Sequence, residues 1–167
     1  MKKLLLVAAA TAALSTPAAA QSVFGDADNE ALGEATATVI APITLTHVDG
    51  AALAFGSFTV DGGGTIAVTQ AGVPTATGPT LMSDSVSSAD SFTVSGDEDR
   101  AYSIDAAGGS VTDPVSGDSM SFTVDAPAGG TLTGGTDSFD VGGTLTVVGD
   151  ESAGSYSGTY EVSVSYN

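Results

Sequence analysis

From residue 34 onward the chain alternates. Odd positions read Ala35, Ala37, Val39, Ala41, Ile43 and Leu45, and the even positions between them read Thr36, Thr38, Ile40, Pro42, Thr44 and Thr46. Successive side chains of an extended strand point to opposite faces, so this stretch predicts a strand with its odd face toward a core and its even face mostly toward water. Pro42 has no amide hydrogen to give a ladder, which marks an edge, a kink or a switch between sheets. The pattern is cleanest at the other end of the chain. Even positions there read Tyr156, Gly158, Tyr160, Val162, Val164 and Tyr166, and odd positions read Ser157, Thr159, Glu161, Ser163, Ser165 and Asn167. That is a half-buried strand with Tyr156, Tyr160, Val162 and Val164 facing a core and Thr159, Glu161 and Ser163 facing outward.

Between these two stretches, short runs of Val, Thr, Ile, Phe and Tyr predict strands over residues 54–60, 65–70, 80–83, 91–95, 101–105, 119–124 and 140–148. Turn signals separate them, among them Asp61-Gly62-Gly63-Gly64, Ser95-Gly96-Asp97, Gly108-Gly109, Gly129-Gly130, Gly134-Gly135 and Gly149-Asp150. Many short strands with such punctuation predict an all-β, antiparallel sandwich or barrel. The core has few large side chains. Its bulk must come from Phe55, Phe58, Phe92, Phe122, Phe139, Tyr102, Tyr156, Tyr160 and Tyr166, all in or beside predicted strands.

Residues 1–20 break the pattern. Lys2 and Lys3 precede an apolar run from Leu4 to Leu14, and Pro17 precedes Ala18-Ala19-Ala20. A basic start, a short apolar stretch and a small-residue cleavage site make a secretory signal peptide. The double lysine and short apolar run have a bacterial look. A membrane span would need about 20 apolar residues, so no span is expected. The expected organisation is a signal peptide over 1–20, a polar mobile segment over 21–33, and a β-sandwich over 34–167. The destination is the periplasm, cell surface or extracellular space.

Composition then narrows the chemistry. The chain has 167 residues, with 3 Lys plus Arg against 20 Asp plus Glu, a net charge of −17, and no Cys. Cleavage after Ala20 would leave Arg100 as the single base. A nucleic-acid partner is excluded, since phosphate neutralisation needs Lys and Arg. The missing cysteines exclude disulfides and thiolate-bound metal. His47 is the only histidine. No G-x-S-x-G elbow exists to present a serine nucleophile, so His47 reads as a packing or turn residue, no catalytic residue is expected and the chain is read as non-enzymatic. Asp61-Gly62-Gly63-Gly64 lacks the lysine and helix of a phosphate loop and reads as a turn. Calcium needs only oxygen ligands, which makes Asp26, Asp28 and Glu30, and Asp97 with Glu98 and Asp99, candidate ligands; the plainer reading of both clusters is a solvated acidic turn. No cofactor is expected.

Three segments together carry a resemblance. Pro42-Ile43-Thr44-Leu45 is followed by an L-x-F-G element, Leu53-Ala54-Phe55-Gly56. Val141-Gly142-Gly143-Thr144-Leu145-Thr146-Val147 comes late, and the chain ends in Gly154-Ser155-Tyr156-Ser157-Gly158-Thr159-Tyr160-Glu161-Val162-Ser163-Val164-Ser165-Tyr166-Asn167. From about Ala35 to Asn167 this resembles the secreted bacterial family called domain of unknown function 4402. That family in turn looks similar to spore coat protein U and the pilin subunits of chaperone–usher systems, although the cysteine pair common in coat-U-type subunits is missing. The resemblance implies an immunoglobulin-like, pilin-like sandwich, in which a neighbour's N-terminal extension supplies a missing strand.

Two structural readings follow for residues 34–46. In one, residues 34–41 are a donor strand for another copy, placed through Ala35, Ala37, Val39 and Ile40 against an acceptor edge carrying Tyr156, Tyr160, Val162, Val164 and Tyr166. Because Ala35 and Ala37 are small, Val39 and Ile40 are expected to carry much of that contact. In the other, residues 35–46 are the domain's own first strand, kinked at Pro42, and the domain is a closed monomer. The leading functional expectation is an exported structural or surface subunit assembled by β-strand complementation, with copies of itself and a periplasmic chaperone as partners. The alternative is a monomeric periplasmic or extracellular binding module using calcium at the acidic turns.

Overall fold

The computed structural model describes residues 31–167. Eleven strands follow in chain order: β1 Thr44–His47, β2 Phe58–Thr59, β3 Gly64–Val68, β4 Pro74–Thr77, β5 Thr80–Leu81, β6 Asp90–Ser95, β7 Ala101–Thr112, β8 Ser119–Asp125, β9 Gly129–Thr131, β10 Thr136–Val147 and β11 Ser157–Tyr166. Every pairing is antiparallel. Apart from one 3-10 turn at Thr133–Gly135, the described residues contain no helix, and so none long and apolar enough to cross a membrane. The fold is the all-β, sandwich-like architecture that the alternation predicts.

Two curled layers share β10. Its first half, Thr136 to Val141, pairs with β6, which pairs with β1. Its second half pairs with β8 and β3, and that layer continues through β7 to β11 on one side and β4 on the other. The crossing falls at Gly142-Gly143, where the backbone is sandwiched. A Cβ on Gly142 would run into the Val68 carbonyl, and one on Gly143 would lie 2.6 Å from the Thr123 carbonyl oxygen. Only glycine lets one strand be gripped by neighbours on both edges this closely.

Each layer buries one face. Phe92, Val94, Tyr102, Leu132, Phe139 and Val141 form one buried cluster. Phe55, Ile66, Val68, Met120, Phe122, Leu145 and Val147 form the other. At roughly 1.5–3 kcal/mol for each large apolar side chain removed from water, these clusters dominate the stabilising side of folding. β11 matches its predicted register. Tyr160, Val162, Val164 and Tyr166 are half-buried against the clusters, while Thr159, Glu161, Ser163 and Ser165 are exposed.

The front of the chain departs from the prediction. Only Thr44–His47 of the expected strand over 35–46 is paired. Ile43 and Leu45 pack against the second cluster as the odd face should. Residues 31–41 belong to no strand and are exposed, Val39 at 96%. The alternation there is sound strand chemistry, but no partner strand within the described residues takes it up. The long continuous first strand, kinked at Pro42, is therefore corrected to four residues. The expected signal peptide, and most of the polar segment after it, lie outside the described residues.

Substitutions at neighbouring positions of β11 test the register. Val162→Asp puts a charge against the core and is expected to cost roughly 3 kcal/mol. Glu161→Gln, one residue away on the exposed face, is expected to stay within about 0.5 kcal/mol of the parent. Urea denaturation of both variants decides the matter, and equal losses would overturn the assigned register.

Candidate functional site: a groove beside the last strand

β11 pairs with β7 along one edge and, among the described residues, with no strand along the other. Facing that free edge is β1, followed by a stretch over residues 51–60 that is held by the isolated Ala54–Ser88 bridge and by the pairing of β2 with β5 in a separate two-stranded sheet. The space between these walls is open. One cavity of about 510 Å³ lies between His47, Ala52 and Leu53 on one side and Thr159, Tyr160 and Val162 on the other. A second of about 780 Å³ continues toward Phe58, Val86, Ser152 and Tyr156. The two share Leu53, Phe55 and Val111, so together they form a groove along β11 and its lead-in. An unpaired strand edge beside an apolar trough is the place where an added strand can gain both backbone hydrogen bonds and side-chain burial.

The floor is aromatic. Phe139 stacks on Phe92 at 5.5 Å between centroids, Phe92 meets Tyr160 edge-on at 6.4 Å, Tyr160 meets Phe122 edge-on at 6.1 Å, and Phe122 lies 5.9 Å from Phe55. This row of rings links the two buried clusters beneath the groove. Offset and edge-to-face pairs of this kind add about 0.5–1.5 kcal/mol each beyond burial.

One carboxylate organises the walls. Asp90 is 4% exposed. Tyr160 Oη donates to its Oδ2 at 2.7 Å, while His47 Nε2 at 2.7 Å and the Ser91 N–H at 2.8 Å donate to its Oδ1. His47 also packs edge-on against Phe92 at 5.2 Å. A buried charge is tolerated only when its lone pairs are satisfied, and here donors from β1, β6 and β11 converge on it. Burial first, then the hydrogen bond to Asp90 and its charge, holds the Tyr160 hydroxyl above the ordinary tyrosine range. Tyr102 in the adjoining cluster, which donates to Asp137 Oδ2 at 3.0 Å, is pushed up to about 12 by the same causes in the same order.

Tyr166 is the last residue of β11. Its hydroxyl accepts the Asp97 N–H at 2.6 Å and donates to the Ala41 carbonyl at 2.9 Å, so the chain enters the domain beside the last residue of β11. At the other end Glu151 accepts the N–H groups of Val148 and Gly149 at 2.6 and 2.8 Å, and Tyr156 Oη donates to the Ser152 carbonyl at 2.8 Å.

Residues 43–166 match the family described as domain of unknown function (DUF4402). The chain belongs to that family. No curated protein matches it. In this DUF4402 domain the matched span runs from the lead-in of β1 to the end of β11, so it contains both walls and the floor of the groove. Residues 34–41 precede it.

The expected acceptor residues Tyr156, Tyr160, Val162, Val164 and Tyr166 share the inner side of β11 and its lead-in, half-buried. Ala35, Ala37, Val39 and Ile40 are exposed outside any strand. Of the calcium candidates, Asp26, Asp28 and Glu30 lie outside the described residues. Asp97 Oδ2 is taken by Arg100 Nε at 2.6 Å, and Asp99 sits in a turn with φ of 59°, its N–H on the Leu132 carbonyl. Among the described residues no group of three or more His, Asp or Glu is placed to hold a metal ion. Sequence reasoning passed over Asp90, and His47 turned out to be its partner. The available signal was an acid opening the apolar run Phe92-Thr93-Val94, where a charge needs a reason to be buried.

The tyrosines set an alkaline limit. A tyrosine with a raised folded-state value keeps its full contribution to stability below its ordinary pKa of about 10 and loses it as pH climbs through the folded value. Denaturation midpoints should therefore fall between pH 10 and about 12, and Tyr102→Phe should flatten that decline. An unchanged slope would show that the Tyr102 hydroxyl is not held by burial and Asp137.

Proposed function

We propose that this DUF4402 chain is an exported, non-enzymatic structural subunit that assembles by strand complementation, residues 34–41 of one copy entering the groove of the next. The observation that carries the reading is the open, aromatic-floored groove beside the unpaired edge of β11. Three further features support it. The segment before Ala41 exposes Leu32 at 80% and Val39 at 96%, apolar surface that gains from burial elsewhere. Residues 34–41 number eight against the ten residues of β11, so the segment can run along most of that strand. The terminal motifs resemble those of spore coat protein U and chaperone–usher pilins. Export rests on the basic and apolar pattern of residues 1–20, and a groove left open until a partner arrives would call for a periplasmic chaperone.

The mature chain from Gln21 should form polymers that survive mild detergent and separate on boiling, because a whole strand must peel out before a junction opens. Val39→Asp should abolish those polymers while leaving the melting temperature of the domain unchanged, since Val39 is 96% exposed. Size-exclusion chromatography and gels run with and without boiling report both. A mature protein that remains monomeric at every concentration, or a Val39→Asp variant that fails to fold, would falsify strand complementation by residues 34–41.

A further inference from the structure

We infer that ionic strength gates assembly at the groove: the donor segment and the rim it must lie against are both acidic, so strand insertion is slow until dissolved salt screens them. This rests on the strand-complementation reading and says what regulates that site.

The charges are of one sign along the whole route. Cleavage after Ala20 leaves 20 acids and one base in the mature chain. Four of those acids, Asp26, Asp28, Glu30 and Glu34, fall in residues 21–41, which hold no base. The receiving rim is acidic too. Glu161 is exposed on the outer face of β11 and lines the cavity of about 510 Å³. Asp105, exposed on β7 opposite Ser163, shares that outer face. Glu151 lines the second cavity. The one base is engaged elsewhere. Arg100 Nε donates to Asp97 Oδ2 at 2.6 Å, and its guanidinium lies 5.9 Å from the centre of the Tyr166 ring, a residue that lines neither cavity.

Strand insertion presses these charges together. With Val39 turned into the groove, parity turns Glu34 outward, onto the face that carries Glu161 and Asp105. Neighbouring strands lie about 4.8 Å apart, and like charges facing one another across a pair are destabilising. The burial and backbone hydrogen bonds that a donor gains act only at contact. Repulsion acts earlier, over a Debye length of about 30 Å at 0.01 M salt and about 8 Å at 0.15 M. Fields of this kind change association rates by roughly 10- to 1,000-fold. Screening by the ionic atmosphere is enough for the effect, and no cation has to occupy a fixed place.

Polymerisation of the mature chain, followed by light scattering in sodium chloride at about 0.01 M and about 0.5 M, tests this. The parent should assemble at least about tenfold faster in the higher salt. Glu161→Lys places a base where the donor's acids arrive, at an exposed position. It should assemble about tenfold faster than the parent in low salt and within about twofold of it in high salt. A donor variant combining Asp26→Asn, Asp28→Asn, Glu30→Gln and Glu34→Gln should behave the same way. Melting temperatures compared at equal salt should stay near the parent's, so that the rates report encounter and not folding. A parent rate equal in both salts, or variants that keep the parent's salt ratio, would overturn the screening. So would acceleration by millimolar calcium that sodium chloride does not reproduce. A parent that stays monomeric in both salts would instead sink strand complementation itself.

Discussion

The Asp90 carboxylate is a charge held almost entirely out of water, and the rest of the site is arranged around keeping it satisfied. Leaving such a group unpaired costs several kcal/mol. Here the imidazole of His47, the hydroxyl of Tyr160 and the amide of Ser91 all point at it. Those donors come from three strands, and two of the strands, β1 and β11, stand on opposite walls of a gap that no strand fills among the described residues. The carboxylate therefore sets the distance between the walls without bridging them by backbone hydrogen bonds. The ring row from Phe139 to Phe55 performs the matching task underneath, joining the two apolar clusters where a continuous sheet would otherwise have done so.

Much of this was legible in the sequence where burial is one-sided. β11 reads correctly residue by residue because a strand with one face on the core and one in water writes its register as a period of two. β3, β6 and β8 were placed within a residue or two for the same reason. Other elements were not legible, each for its own cause. β7 runs on to Thr112 through Gly108-Gly109, which reads as a turn; glycine is there because a Cβ on Gly108 would strike the Phe122 carbonyl. β4 opens with Pro74 and sits on a sheet edge, where proline is tolerated and the alternation is lost. β9 is Gly129-Gly130-Thr131, turn chemistry used as a short partner for the start of β7.

The segment over 35–41 shows a different limit. Alternation reports which face of a strand is apolar, but not whether the apolar face has anything to meet. Among the described residues it meets nothing, and the same holds in reverse for the site: the groove is a property of what those residues leave unfilled between β1 and β11, and no local pattern can announce a missing neighbour. His47 and Asp90 are 43 residues apart and Tyr160 is 70 residues beyond Asp90. Their convergence follows from topology, and composition alone gives no hint of it beyond the oddity of an acid at the head of a buried run.

The crossing of β10 at Gly142-Gly143 carries one more consequence, for the order of events as the chain leaves the ribosome. β6 finds its central partner in Thr136 to Val141, and β3 finds its own in Gly143 to Val147. Until residues 136–147 have been synthesised, neither layer has its middle strand, and everything earlier is a set of hairpins and lone edges that cannot bury their apolar faces. Folding during synthesis is therefore deferred nearly to the end, and then both layers close on one strand together.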